Sequence, residues 1–595
     1  MKKELTLLRE AMKENNIDVY LITMDDDHQS EYVGEYYKEI AFISGFTGSA
    51  GKLAVTMEDA GLWTDGRYFV QAERQLSGSG IRLMPMGRLG TPEISDFIAA
   101  SLPKGGCLGF NGSCVSYSEA LKLSEKLSGK NISIRQDLNL PDGFWKDRPK
   151  KAVTPCYILS ECYSGKAAGD KIKDLLNELS AMGAEAHLIS TLDDIAWLLN
   201  LRAADIPYNP VFRAFLLIDN GRLRLYTEEG HLSSEVKEYL KSLKVSVDTE
   251  EDHIYRDLKK LSAKSILLES SAINAAAGYS IPEGVRIIDR MMPTVRMKSV
   301  KNSTEMENLR KAHLKDGLAL TRFMYWFKKQ VSSGKLTEWS CVEKLHEIRS
   351  GAEGFLGESF ETISAYGANA AMCHYSPSKE LDTPIEPKGL YLVDSGGQYY
   401  EGTTDVTRTW SCGPLTDQER LSLTLSVISN MRLADARFLK GTSGAALDYI
   451  AREPFWRRGL NYDHGTGHGV GYLLNVHERP VGIRYKAVPE RQDQWPFSEG
   501  MFVSDEPGLY IEGSHGVRTE NMLMCVNDYK NEYGQFCRFE VYTLCPIDKY
   551  ALDASIMDER DKRLFNAYQE KVLADLSPFL EGEELCWLQD ICAPL

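Results

Sequence analysis

The 595-residue sequence predicts two α/β domains followed by a larger mixed α and β domain that carries the chemistry. Three observations predict it. Helix-type and strand-type apolar periodicities alternate through residues 1–150, the same order restarts after a charged, proline-bearing stretch, and the register changes again near Met297. A chain this long exceeds one hydrophobic core, so several domains are required. The division read from these shifts is 1–150, 151–296 and 297–595.

Composition bounds the function classes. Hydrophobic content of 43% and charged content of 26% are those of a soluble globular protein. A formal net charge of -16, with a sequence pI near 5.4, opposes a phosphate-backbone partner and argues against nucleic acid. No stretch approaches the roughly 18 uninterrupted apolar residues of a membrane span. The opening MKKELTLLREAMKENN reads as a charged amphipathic helix with no apolar leader after it. Twelve cysteines form no CxxC pair, which fits neither a zinc ribbon nor a dense disulfide framework and points to a reducing cytoplasm.

In order, Leu5, Leu8 and Met12 mark one helix face, DVYLIT (18–23) is a strand, and KLAVTM with GLWTDGRYF forms a strand pair turning at Asp59. Helical patterns recur near 93–102 and 116–128, with strands IRLMPM and ISIRQ between and after. The segment DDDHQSEYVGEYY, within 25–38, reads as a solvated, mobile loop. WKDRPKKAVTP (145–155) is a linker. The second domain runs through helix IKDLLNELSAM, strand EAHLIST, the hairpin FLLIDNGRLRLYT turning at Asn220-Gly221, helix SEVKEYLKSL, and strands VSVDT, SILLES and VRIIDR. Its order echoes the first domain, which suggests duplication. Thr304 and Glu307 read as a capping box opening a long helix with Leu309, Leu320, Phe323 and Phe327 on its apolar side. The tail from about 556 returns to helix, with Trp587 and Leu588 covering an apolar groove.

The chemistry gathers in the third domain. HGTGHGVGYLLNVHE sets His464, His468 and His477 at spacings of 4 and 9 in a run too glycine-rich to be helix throughout. Its glycines let backbone approach closely and permit positive φ. LYLVDSGGQYYEGTTDVTRTW reads as a hairpin with Asp394 leaving one strand and Asp405 entering the next, so the two carboxylates meet on one face. The apolar LYLV before Asp394 implies burial, where an unpaired carboxylate is costly and a cation is wanted. FVSDEPGLYI places Glu506 at a turn, and GVRTENMLMCV places Glu520 in an alternating strand after Arg518. Four carboxylates with one neutral imidazole carry about four negative charges, which two divalent ions balance and one does not. A sulfur-free donor set favours Mn²⁺, Zn²⁺ or Co²⁺. Two such ions share a water and present hydroxide to a carbonyl carbon.

HYSP at His374, DSGGQYYEGTTD, HGTGHGVG, NVHE, SDEPG and GVRTEN together resemble aminopeptidase P, the X-prolyl aminopeptidases of the pita-bread metallopeptidase superfamily. The likeness is to the long three-domain cytosolic branch. It extends to SGFTGSAG and LWTDGRYF in the first domain, DDIAWLLNLR and NPVF in the second, and VKNSTEMENLRKAH at the entrance of the third.

The resemblance implies two creatinase-like α/β domains before a pita-bread catalytic domain with a helical tail. It implies that Asp394 holds one metal, Asp405 and Glu520 bridge both, and His468 and Glu506 complete the shells. Glu506 also handles the proton of the bridging water, His374 and His477 stabilise substrate oxygens, His464 lines a proline pocket, and Arg518 supports the ligand strand. The implied activity releases the first residue from peptides with proline second, by attack of metal-bridging hydroxide, in a cytoplasmic homodimer using Mn²⁺. A prolidase cutting only dipeptides, a creatinase-like hydrolase, and a non-catalytic peptide-binding module are the competing readings.

Overall fold

The strand-type alternation of the first domain closes into a six-stranded sheet. A computed structural model describes residues 2–380, 382–486 and 494–595. In it the sheet order is Arg82–Pro85, Ala60–Thr64, Lys52–Thr56, Val19–Thr23, Cys107–Phe110, Ser133–Arg135. The central strand is buried at every position because helices cover it, and the helix Lys3–Glu14 contributes Leu5, Leu8 and Met12, none of them exposed.

A second sheet has the order Val245–Asp248, Arg222–Thr227, Ala214–Asp219, Ala186–Ile189, Ser265–Leu268, Arg286–Asp289. Both sheets run parallel, antiparallel, antiparallel, parallel, parallel across their five contacts. The shared topology supports duplication where residue identity does not. The Asn220-Gly221 hairpin turn places both residues at positive φ, 50° and 75°, as a two-residue turn between twisted strands requires.

The chain divides into two units, residues 1–160 with 166–295, and residues 161–165 with 296–595. Within the first, the start of the DDDHQSEY segment is not the solvated loop its charges suggested. Asp26, Asp27 and His28 are buried, because Glu251 binds His28 at 2.9 Å, Lys151 binds Asp27 at 3.0 Å, and Arg213 pairs with Glu251.

The second unit is built on the helix Ser303–Gln330, whose Leu309, Leu320, Phe323 and Phe327 are buried as expected. Its cap lies two residues before the expected pair Thr304 and Glu307. Asn302 accepts from the Thr304 and Glu305 backbones, and the Glu305 side chain returns the bond. Asn302 wins because its short amide also donates to the Ser164 carbonyl. Phe327 stacks on Tyr391 at 4.7 Å, and both pack with Phe323 and Trp410 in the main core. The tail forms helices Glu559–Leu576 and Gly582–Ile591, with Leu588 buried and Trp587 lying against Tyr325.

Some of the histidines outside the motif are core residues, while His346 lies on the surface. His187 and His313 are fully buried and their pKa values are pushed down to about 4 by burial. None of the twelve cysteines is in a disulfide, and only Cys162 and Cys586 are exposed. Among the described residues no helix is long and apolar enough to cross a membrane.

Candidate active site

Two sheets of the second unit bring the motif residues together. Asp394 lies near the end of strand Leu390–Ser395, opposite Thr407 of strand Val406–Ser411. Asp405 sits just before that second strand rather than inside it. The link between them is longer than the simple hairpin expected, because Gly397–Tyr399 and Gly402–Thr403 form a hairpin of their own. Glu506 follows strand Phe502–Asp505. Glu520 occupies the break between His515–Arg518 and Asn521–Asn531, where its N–H donates to the Thr407 carbonyl at 3.0 Å, and not a strand interior as expected.

His468 stands in the short strand Gly467–Gly469. The neighbouring glycines are required by close packing rather than by positive φ. A Cβ on Gly467 would lie 1.9 Å from the Ser504 carbonyl oxygen, and one on Gly469 would lie 2.3 Å from that of Glu478. The close approach is to backbone of the same sheet, which fixes His468 against the strand bearing Glu506. The His468 N–H donates to Ser504 Oγ at 3.0 Å, and that hydroxyl reaches Glu506 at 3.3 Å.

The donor atoms converge. His468 Nε2 is 3.5 Å from Asp405 Oδ2 and 3.5 Å from Glu506 Oε1, and Asp405, His468 and Glu520 form one ligand-spaced group. Two atoms each about 2.1 Å from a shared ion lie about 3.0 to 3.5 Å apart, so the separation suits joint ligation better than a hydrogen bond. His468 Nδ1 faces the Gly469 carbonyl at 3.0 Å, which assigns the proton there and leaves Nε2 a lone pair. The His477 ring packs edge-on against His468 at 4.4 Å.

Electrostatics make the same point. Burial, then the charges of Glu520, Asp394 and Glu506, hold the Asp405 carboxyl well above the usual range, and burial with Asp394 and Glu506 does the same to Glu520. Glu506 is pushed up to about 7, chiefly by burial. One cation, Arg518, pairs with Asp394 Oδ2, while Asp394 Oδ1 is buried without a hydrogen-bond partner. Four clustered carboxylates against one guanidinium, with a buried Asp394 oxygen that has no hydrogen-bond partner, is a donor set that fits divalent metal.

Other side chains hold the frame. Arg518 donates to Thr407 Oγ1 at 3.0 Å and to the Tyr510 hydroxyl at 2.6 Å, and Thr407 donates to Glu520 at 2.9 Å. Tyr510 meets His464 Nε2 at 2.9 Å, so Arg518 links the strand bearing Asp394 to His464. His464 is kept neutral, its pKa lowered to about 3 by burial and then by Arg518. Its ring lies 4.9 Å from Tyr462 and 5.4 Å from Tyr510. The fully buried Asp448–Arg452 pair supports this loop, with Arg452 donating to the carbonyls of Tyr462 and His464, each at 2.7 Å. His374 sits in a half-buried turn, and the Cys373 carbonyl before it lies 3.5 Å from Arg518 Nη2.

Sequence reasoning missed Tyr510, Thr407, Ser504, Asp448 and Arg452. Tyr510 and Thr407 lie inside motifs that were singled out, but their partners are 46 and 113 residues away. A second His/carboxylate group, Asp27, His28 and Glu251, lies in the first unit. Lys151 and Arg213 already neutralise its carboxylates, so it reads as a charge-balanced cluster and not a metal centre.

The sequence pattern of metallopeptidase family M24 matches residues 307–527. The chain belongs to this family, in its aminopeptidase P branch. Creatinase/prolidase N-terminal domain patterns match 5–137 and 147–305, and a C-terminal region of peptidase M24 matches 535–595. A probable Xaa-Pro aminopeptidase P of Botryotinia fuckeliana is 37% identical over all of this chain and 93% of its own length. One from Leptosphaeria maculans is 38% identical over all of this chain and 99% of its own. Among solved structures, the X-prolyl aminopeptidase of Caenorhabditis elegans, described as a cytosolic enzyme with a di-nuclear active site, superposes with a TM-score of 0.94 at 31% identity, covering 100% of this chain and 99% of that one. An Xaa-Pro dipeptidase of Bacillus anthracis shares the fold over 64% of this chain and 98% of its own, with TM-score 0.51 and 21% identity. The M24 site thus sits in a chain of aminopeptidase P length, behind two creatinase-type domains, and the fold expectation holds.

Proposed function

We infer that this chain is a metallo-aminopeptidase that removes the residue preceding proline from the N-terminus of peptides. The observation that carries it is the convergence of Asp394, Asp405, His468, Glu506 and Glu520 on one buried point, in a chain that matches Xaa-Pro aminopeptidase P relatives from end to end. The three-part division 1–150, 151–296 and 297–595 is retained as our reading of its domains.

Asp394, Asp405, His468, Glu506 and Glu520 are assigned as ligands of two divalent ions. Mn²⁺ suits the oxygen-rich set best, with Zn²⁺ and Co²⁺ as alternatives. When bound, such ions polarise a carbonyl and acidify water. The protein's own groups do the rest. Glu506 takes a proton on its carboxylate and returns it to the leaving proline nitrogen. His374 and His477 donate hydrogen bonds to the substrate oxygen as negative charge develops there. A tertiary amide before proline offers no N–H to grip, so shape must select the ring. Neutral His464 between Tyr462 and Tyr510 supplies an apolar wall for it. Arg518 holds Asp394 in place through its ion pair.

A prolidase shares the donor pattern, but the curated relatives that this chain matches end to end are probable Xaa-Pro aminopeptidases P. A creatinase-like hydrolase needs no dimetal set, and a non-catalytic module would not need all five donors. Incubating metal-stripped protein with Mn²⁺, Zn²⁺ or Co²⁺ and then with Arg-Pro-Pro or Arg-Pro, read by mass spectrometry, tests the assignment. Release of arginine from the tripeptide after add-back is the expected result. Cleavage of the dipeptide alone would make the enzyme a prolidase.

Assembly as a homodimer through the catalytic domain is supported by Tyr449, Trp456 and Tyr485, which are 56%, 39% and 40% exposed and contact one another in series. A contiguous exposed aromatic surface of this kind suits a subunit contact. A cytoplasmic location is supported by twelve cysteines none of which is joined in a disulfide.

A further inference from the structure

We propose that Glu338 and Tyr375 form a clamp that positions His374 for catalysis. The inference rests on His374 acting on the peptide oxygen, as assigned above.

Glu338 is the first residue of helix Glu338–Ser350, whose Thr337 cap is reciprocated by Ser340. A carboxylate at a helix N-terminus is favoured by the helix dipole. Its side chain is fully buried and points away from the helix into the turn after strand Ile363–Tyr366. There it accepts from the Tyr366 N–H at 2.6 Å, from Asn369 Nδ2 at 3.1 and 3.2 Å, and from the Tyr375 hydroxyl at 2.7 Å. Asn369 Nδ2 also reaches Thr383 Oγ1 at 3.0 Å, so one carboxylate gathers both ends of the segment that carries His374. The Tyr375 ring packs on Ile363, Ala365, Ala370 and Leu392.

His374 is therefore pinned on both flanks. The residue after it is tied to Glu338 on a rigid helix, and the carbonyl of the residue before it faces Arg518, which holds Asp394. Consecutive Cα atoms are 3.8 Å apart, so a shift of Tyr375 is transmitted to His374. Neither Glu338 nor Tyr375 belongs to the donor set. Burying a carboxylate among neutral donors is costly, and burial does raise the Glu338 pKa. A purely structural contact at this place is served as well by an apolar pair, which argues that the polar clamp is there for placement.

The test is a double-mutant cycle on Arg-Pro-Pro hydrolysis with the metal-loaded enzyme, with metal content measured in parallel. Tyr375→Phe keeps the ring and removes the bond. It is expected to lower kcat about five- to tenfold with KM, metal content and melting temperature little changed, and to cost almost nothing further in a His374→Ala background. Glu338→Gln should retain more activity than Glu338→Ala, since the amide still accepts from Tyr366 and donates to the tyrosine oxygen. If His374→Ala loses activity while Tyr375→Phe matches the parent, or the two losses multiply, the clamp is refuted and the His374 assignment stands. If His374→Ala is fully active, the assignment itself falls and the clamp falls with it.

Discussion

Asp405 shows most plainly what a single residue does here. It is buried among three other carboxylates, and its own desolvation and their charge both resist ionisation. Asp405→Asn should abolish the pairing of the ions and lower kcat by roughly a thousandfold or more. Mass spectrometry under native conditions should show fewer than two ions retained. His313 tests a different residue-scale consequence. Its pKa is depressed to about 4, because Nε2 is buried without a partner, while the unfolded chain titrates near the ordinary 6.5. The unfolded state therefore binds the extra proton, so stability is full above pH 6.5 and is lost as the pH falls toward 4. His313→Leu should flatten that loss by roughly 2 to 3 kcal/mol at pH 4, read by urea titration at several pH values. The five candidate donors stand out in the sequence because each sits in a short motif of distinctive composition. The buried Asp27 and His28 do not, because their partners Lys151, Arg213 and Glu251 are far along the chain, and local charge alone reads as solvation.

At the scale of the element, the strand Gly467–Gly469 decides where His468 points. Gly467→Ala would put a methyl 1.9 Å from the Ser504 carbonyl, forcing the strand away from Phe502–Asp505. A loss of several kcal/mol with weakened metal retention is expected, by denaturation and metal analysis, beyond the usual 1 to 3 kcal/mol of overpacking. Gly129→Ala, which meets open space, should change neither. Helices and strands of the first two domains were readable from apolar period, including the Asn220-Gly221 hairpin. The catalytic elements were read less well. Asp405 and Glu520 fall just outside strands, at sheet ends that periodicity does not see. The Asn302 cap was displaced by its tertiary bond to Ser164, which no local window contains.

For the molecule as a whole, charge balance links metal to folding. A site of four carboxylates and one guanidinium repels itself when stripped, and ions that bind only the folded state stabilise it by mass action, about 2.7 kcal/mol for each site at a hundredfold excess over Kd. Chelation should lower the melting temperature, and returning Mn²⁺ should restore it, in scanning calorimetry. Light scattering should give a dimer for the parent and a monomer when Tyr449, Trp456 and Tyr485 are all changed to serine. Six-stranded sheets of identical strand direction repeat in the first two domains, a duplication that sequence order suggested and topology carries.

The thiols give this chain a built-in reporter. A mild alkylating reagent should mark Cys162 and Cys586 at once, half-buried Cys107 and Cys373 more slowly, and the eight buried thiols only as the interior opens. Because Cys373 adjoins His374, its labelling rate should fall when a peptide binds at His374. Counting adducts by mass then follows unfolding and occupancy together, with no foreign dye attached.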